Sequence, residues 1–238
     1  LSLAANTTGV SNSAFGHATL DANTTASYSS AFGAEVLTNS TAGNNSGFGF
    51  RALKETSTGS ENCAFGTNAL RDNTTGSYNT AFGKDALIAN TTAIVSTAIG
   101  WGALSTNTTG AQNTAVGANA LQYNNGDYNV AVGRQSLQAN TTGNNNVSMG
   151  WQALLANTTG IDNTAVGMQA LTSVVTGNYN TAIGARALMS ATGAGSCAVG
   201  EDALMTATTG TQNIAMGQSA LRLMVTGSQN VAIGANTL

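Results

Sequence analysis

The stretch Asn113-Thr114-Ala115-Val116-Gly117-Ala118-Asn119-Ala120-Leu121 decides the fold, because its skeleton returns along the whole chain. Gly117 is one of fourteen framework glycines, at 16, 33, 49, 66, 83, 100, 117, 133, 150, 167, 184, 200, 217 and 234. The interval between them is 17 residues, shortened three times to 16. Four residues after each glycine stands a leucine, from Leu20 to Leu238, without exception. The residue before the glycine is always Phe, Ile, Val or Met, written Φ below. Two before it is Ala in twelve of fourteen coils, replaced by Gly47 and Ser148. Four before it is Asn in eleven, replaced by Ser29, Ser96 and Ser196. A Thr-Gly pair, as in Thr109-Gly110 and Thr226-Gly227, falls roughly midway.

A unit this short cannot hold two packed helices, which need about 33 residues or more. The β-branched residues, the recurrent glycine and the missing 3.6-residue period fit one turn of a small β-coil. Position-for-position identity is what stacking demands, since each residue sits on its counterpart about 4.8 Å away. The expected fold is therefore all-β, a parallel β-solenoid of about fourteen coils forming a single domain over 1–238. The Asn column (Asn12, Asn45, Asn62, Asn79) is expected to form an amide ladder. The Thr column (Thr8, Thr25, Thr58, Thr75, Thr92, Thr109) is expected to form a hydroxyl ladder.

The shortened coils locate the tolerant corners. A deletion within a strand would turn every later side chain to the wrong face. The glycine-to-leucine spacing never changes, so the lost residues fall between Gly43 and Gly49, Leu121 and Gly126, and Leu188 and Gly193. Strands are expected around Asn-Thr-Ala-Φ and x-Ala-Leu, with a third near Asn-Thr-Thr. Φ and Leu are both apolar and five apart, which suggests that the glycine turns the chain so that both point inward. The Ala column would then face outward, where small residues allow a second copy of the chain to approach closely.

Only 17 of the 238 residues are charged, against an ordinary share of about a quarter, and the net charge is −3. Every charge falls one, two, five or six residues after the framework glycine, or five or six before it. Those positions are solvent-facing corners. A nucleic-acid partner is excluded by the lack of clustered cations. No apolar run approaches the roughly 18 residues of a membrane helix. Cys63 and Cys197 share one repeat position eight coils apart, too far for a disulfide, and are expected as free thiols.

The pentapeptides Asn113–Gly117, Asn163–Gly167 and Asn230–Gly234 resemble the head repeats of trimeric autotransporter adhesins. They equally resemble the repeat regions of bacteriophage tail fibres. The resemblance implies a left-handed β-roll, three chains side by side, and attachment to a host surface. It covers nearly the whole chain, although the adhesin-head repeat is shorter than 17 residues. The sequence starts and stops inside the repeat, so the chain is expected to be an excerpt of a longer fibre.

Catalysis has no visible basis. His17 is the single histidine, on a corner, and no nucleophile–base constellation accompanies it. No paired carboxylates and no calcium-binding repeat occur, so neither cofactor nor metal is expected. Tyr28, Tyr78, Tyr128 and Tyr179 share one repeat position and fall three coils apart, and Trp101 and Trp151 share another, also three coils apart. Such exposed aromatics are candidate contacts for a cell-surface glycan or receptor. Asn6, Asn23, Asn73, Asn90, Asn107, Asn140 and Asn157 head Asn-Thr-Thr triplets and are formal glycosylation sites. The expected role is a structural fibre for attachment or display, extracellular, on a cell surface or on a virion. It would be built as a homo-oligomer of three chains or by head-to-tail stacking. The alternative is a self-assembling filament with a purely structural role.

Overall fold

A computed structural model describes residues 2–238. The chain divides into two compact units, Leu1–Ala118 and Asn119–Leu238. The first carries β1 (Ser13–Phe15), β2 (Ser30–Ala34), β3 (Ser46–Phe50), β4 (Cys63–Phe65), β5 (Thr80–Phe82), β6 (Thr97–Ile99) and β7 (Thr114–Val116). The second carries β8 (Val130–Val132), β9 (Val147–Met149), β10 (Thr164–Val166), β11 (Thr181–Ile183), β12 (Cys197–Val199), β13 (Ile214–Met216) and β14 (Val231–Ile233). In each unit the strands lie in chain order, every neighbouring pair parallel. This is the expected parallel β-solenoid.

Identical residues sit on one another. In the first unit Thr80, Ala81 and Phe82 pair with Thr97, Ala98 and Ile99. In the second, Thr164, Ala165 and Val166 pair with Thr181, Ala182 and Ile183. Two shortened coils keep this register, with Ser30 on Ser46 and Thr181 on Cys197, so their corners absorb the lost residue.

Each coil has one strand, not the two or three expected. The x-Ala-Leu segment is a turn, and the cause is its backbone. Four positions per coil have positive φ: the residue five before the glycine, the glycine, the residue two after it, and the leucine. Leu70, Leu87 and Leu171 have φ of 50°, 50° and 52°. An L-residue in this left-handed region costs roughly 1–2 kcal/mol. Stacking supplies the compensation, because corner amides find carbonyls on adjacent coils. Leu70 N donates to Ala86 O at 3.0 Å, Asp85 N to Thr67 O at 2.9 Å, and Gly83 N to Phe65 O at 2.8 Å. The framework glycine itself cannot be replaced. Gly66 has φ +133°, and a Cβ there would lie 2.6 Å from Gly83 O in the next coil.

The leucines point inward as expected, but the two faces of the strand are the reverse of the expectation. The Ala column is buried, with Ala81, Ala115 and Ala165 fully enclosed, as are the leucines from Leu20 to Leu188. Φ points outward and is half-buried or exposed in every coil. Because consecutive strand residues face opposite sides, Thr and Φ share the outer face and the Ala between them faces in. An association of copies through the Ala columns is therefore excluded: those methyl groups already lie inside one chain.

The two exceptions in the Ala column are compensated across the core. Gly47 stands opposite Val36, which replaces the usual Ala three after the glycine. A Cβ at Gly47 would lie 2.5 Å from Val36 Cγ1. Ser148 stands opposite Ser136, and their hydroxyls bond at 2.6 Å while Ser148 Oγ also donates to Ala153 O at 2.9 Å. A large residue is matched by a small one, and a polar residue by a polar one.

Candidate binding surfaces

Two columns of asparagine run inside the coils. In the column four before the glycine, Asn163 Nδ2 donates to Asn146 Oδ1 at 3.2 Å and to Gly177 O at 2.8 Å. Its own Oδ1 accepts from Asn180 N at 3.0 Å and Asn180 Nδ2 at 3.1 Å. The amide ladder expected from the sequence is present. Where serine replaces asparagine, its hydroxyl takes over the acceptor role, as Ser196 Oγ does for Asn213 N at 3.2 Å.

The second column holds the Asn-Thr-Thr asparagines. Asn90 Nδ2 donates to Asn73 Oδ1 at 2.7 Å, and Asn157 Nδ2 to Asn140 Oδ1 at 2.9 Å. Asn23, Asn73, Asn90, Asn107, Asn140 and Asn157 are all fully buried. A sugar on any of them would have to displace an inward ladder amide, so the structure corrects their assignment as glycosylation sites. Asn6 alone of the seven is exposed. The column ends where Val174 replaces asparagine, leaving Asn157 Oδ1 without a partner. The bonded hydroxyls belong to the first threonine of each triplet, one residue before the column expected. Thr74 Oγ1 donates to Thr91 O at 2.9 Å and Thr141 Oγ1 to Thr158 O at 2.9 Å.

The corner aromatics are exposed as expected. Tyr28 and Tyr78 in the first unit, and Tyr128 and Tyr179 in the second, are each more than half exposed. All four have φ between 59° and 62°. Trp101 and Trp151 also face solvent. The tyrosines of a unit are not gathered into one patch. They are three coils apart, about 14 Å at the stacking distance of strands. His17 is exposed and isolated on its corner. Among the described residues no group of three His, Cys, Asp or Glu could hold a metal ion. An open depression of about 220 Å³ in the second unit is lined by Ser219, Arg222, Leu223, Asn236 and Leu238.

Charges pair along the corners. Arg51 and Lys54 lie 3.0 and 2.9 Å from Glu35, and hydrogen bonds from Lys54 and Arg51 hold its carboxyl below the usual range. Arg186 lies 2.7 Å from Asp202, whose carboxyl is lowered first by that hydrogen bond. The Cys63 thiol is pushed up by burial, which disfavours the thiolate needed for reactivity.

The surface that sequence reasoning missed is the outer face of the strands. It carries Ser, Thr, Cys, Val or Ile three before the glycine and Φ one before it, with no charge in any coil. In the first unit Phe15, Phe32, Phe48, Phe65 and Phe82 form a stacked row with centroids 4.4 to 6.4 Å apart. The missed signal was variation in size. A column alternating among Phe, Ile, Val and Met cannot line a close-packed core, whereas invariant Ala and Leu can.

These features define a parallel β-solenoid repeat protein with an uncharged apolar sheet face and aromatic corners. No family model, curated protein or solved structure matches the chain. The likeness to fibre and adhesin repeats therefore stands on the repeated pentapeptide.

Proposed function

We propose that this chain is a structural rod working outside the cell, on a cell surface or a virion. Several copies, side by side, would hold or display an attachment surface there. The observation that carries the reading is the outward strand face. Each strand contributes three residues, about 10 Å of width, and neighbours are about 4.8 Å apart. The seven strands of each unit thus present roughly 340 Å² of charge-free surface. That is the size of the largest patch on a typical soluble protein, a patch that is often functional. A second copy fits because its face carries the same stacking period and no opposing charge. Three copies in this arrangement agree with the resemblance. Contacts with a host glycan or receptor then fall on the corner aromatics. The reading assigns no catalysis and no cofactor.

Adjacent residues of β10 provide the test. Val166 is half-buried on the outer face and Ala165 fully buried on the inner one. Val166→Glu is expected to leave the β-sheet circular dichroism intact and to reduce the molar mass in light scattering to one chain. Ala165→Glu is expected to abolish the fold, since an unpaired buried charge costs several kcal/mol. A monomeric parent protein, or a Val166→Glu variant that kept the parent's molar mass, would refute association through this face.

A further inference from the structure

One corner column carries the same order of four residue types twice. Five before the glycine, successive coils of the first unit present Tyr28, Asn44, Glu61 and Tyr78. Successive coils of the second present Tyr128, Asn145, Asp162 and Tyr179. Aromatic, amide, carboxylate, aromatic is therefore the order in both, and all eight side chains are exposed. Duplication of a block of coils would be expected to carry the corners beside the glycine along as well, and those two columns do not match. One residue after the glycine, the same coils carry Ala34, Phe50, Thr67 and Lys84 against Arg134, Trp151, Met168 and Ala185. Two after it they carry Glu35, Arg51, Asn68 and Asp85 against Gln135, Gln152, Gln169 and Arg186. Neither column shares a single residue.

Backbone preference does not explain the tyrosines either. All eight positions have φ between 56° and 62°. Asn and Asp tolerate that region, whereas a bulky side chain there is strained. A chain selecting only for the turn would place Asn in every coil. Instead each row begins and ends on a tyrosine, a bulky residue that the turn itself does not call for. The backbone beneath is fixed to the neighbouring coil, with Tyr78 N on Ser60 O and Tyr179 N on Ile161 O, both at 3.1 Å. Among the described residues, no cation pairs with Glu61 or Asp162.

The geometry points to two sites, one per unit, that bind a linear uncharged polysaccharide lying along the stacking direction. Each row places two aromatic faces about 14 Å apart with an amide and a carboxylate between them at steps of about 4.8 Å. The tyrosine rings offer apolar platforms to the C–H faces of pyranose rings. The Asn amide donates to and accepts from sugar hydroxyls, and the carboxylate accepts from two of them. The same carboxylate repels uronates and sialic acids, so an acidic polysaccharide is disfavoured. The inference rests on the reading that the corner aromatics are the contact surface of the rod.

The test is affinity electrophoresis of the full chain in gels containing mixed-linkage β-glucan, hydroxyethyl cellulose or glycol chitin, with polygalacturonate as the acidic comparison. The wild-type chain should be retarded by at least one uncharged polymer and not by polygalacturonate. A variant with Tyr28→Asn, Tyr78→Asn, Tyr128→Asn and Tyr179→Asn should keep its fold, because Asn favours this backbone. It should lose at least about tenfold in apparent affinity. Absence of retardation in every neutral gel, equal retardation of the four-Asn variant, or stronger retardation by polygalacturonate would each overturn the inference. Light scattering on the same samples keeps the readings apart. An associated chain that ignores glycans sinks only this inference, whereas a monomeric chain sinks the rod built of several copies.

Discussion

Replacing Gly47 and Val36 together by alanine should cost little or nothing, although each change alone is harmful. A methyl at position 47 would meet Val36 Cγ1 at 2.5 Å, an overlap that ordinarily costs about 1–3 kcal/mol. Val36 is fully buried, so Val36→Ala removes two methyl groups' worth of packing, about 2 kcal/mol with the cavity included. Independent effects would sum to about 3–5 kcal/mol. The double variant instead recreates the alanine pair that occupies these columns in most other coils, as Ala69 and Ala81 do. It also replaces a strand glycine at a position without positive φ, which stabilises by about 0.4–1 kcal/mol through the unfolded chain. The double variant should therefore match or exceed the parent in urea denaturation, with a coupling energy of at least about 2 kcal/mol. Additive losses would show that Val36 and Gly47 do not share one space in the core, and the column-by-column account of packing would be wrong.

Two further outcomes follow from the ladders and the corners. Asn163→Ala should leave Gly177 O without its side-chain donor and Asn180 N without its acceptor, a loss of about 2–6 kcal/mol. Asn163→Ser should cost less by about 1–3 kcal/mol, because Ser96 and Ser196 show that a hydroxyl can accept the same amide; hydrogen exchange at Asn180 N reports the difference directly. Asp202 has a carboxyl lowered chiefly by its bond to Arg186. Its contribution is thus complete above the ordinary aspartate pKa of about 4 and is lost as pH falls through the lowered value. Asp202→Asn should flatten the melting temperature in that acidic range and leave its slope near neutrality unchanged.

The sequence showed the period, the strand class and the amide ladder because each depends on residues meeting their own counterparts. Stacking turns one-dimensional repetition into contact, so Asn146, Asn163 and Asn180 could be paired without knowing the path of the coil. The number of strands per coil depends on something less visible. Leu at φ near 50° is unfavourable as a single residue, and no propensity argument would place it in a turn. It is held there by amide bonds to the neighbouring coil, such as Leu70 N to Ala86 O. The compensated pairs Val36–Gly47 and Ser136–Ser148 were visible only as exceptions. Their partners stand in adjacent columns of adjacent coils, a relation set by how the turn folds back.

The direction of the strand faces has the most consequence for function, and charge could not determine it. Charges are missing from both the Ala and the Φ positions, so the charge pattern alone does not tell the two faces apart. The structure separates two causes of one pattern. At Ala115 or Ala165 a charge is excluded because the site is closed on all sides. At Phe82, Ile99 or Met216 the side chain is more than a third exposed, so a lone chain would tolerate a charge there at little cost. Its absence from fourteen successive coils is what the proposed association through this face would account for. An apolar strip is normally broken by charged gatekeepers when it must remain in water. Its charged residues instead stand at the corners beside the aromatic rows. The corners are therefore the wet surface, and the uncharged strand face is what the proposed contact with another copy rests on.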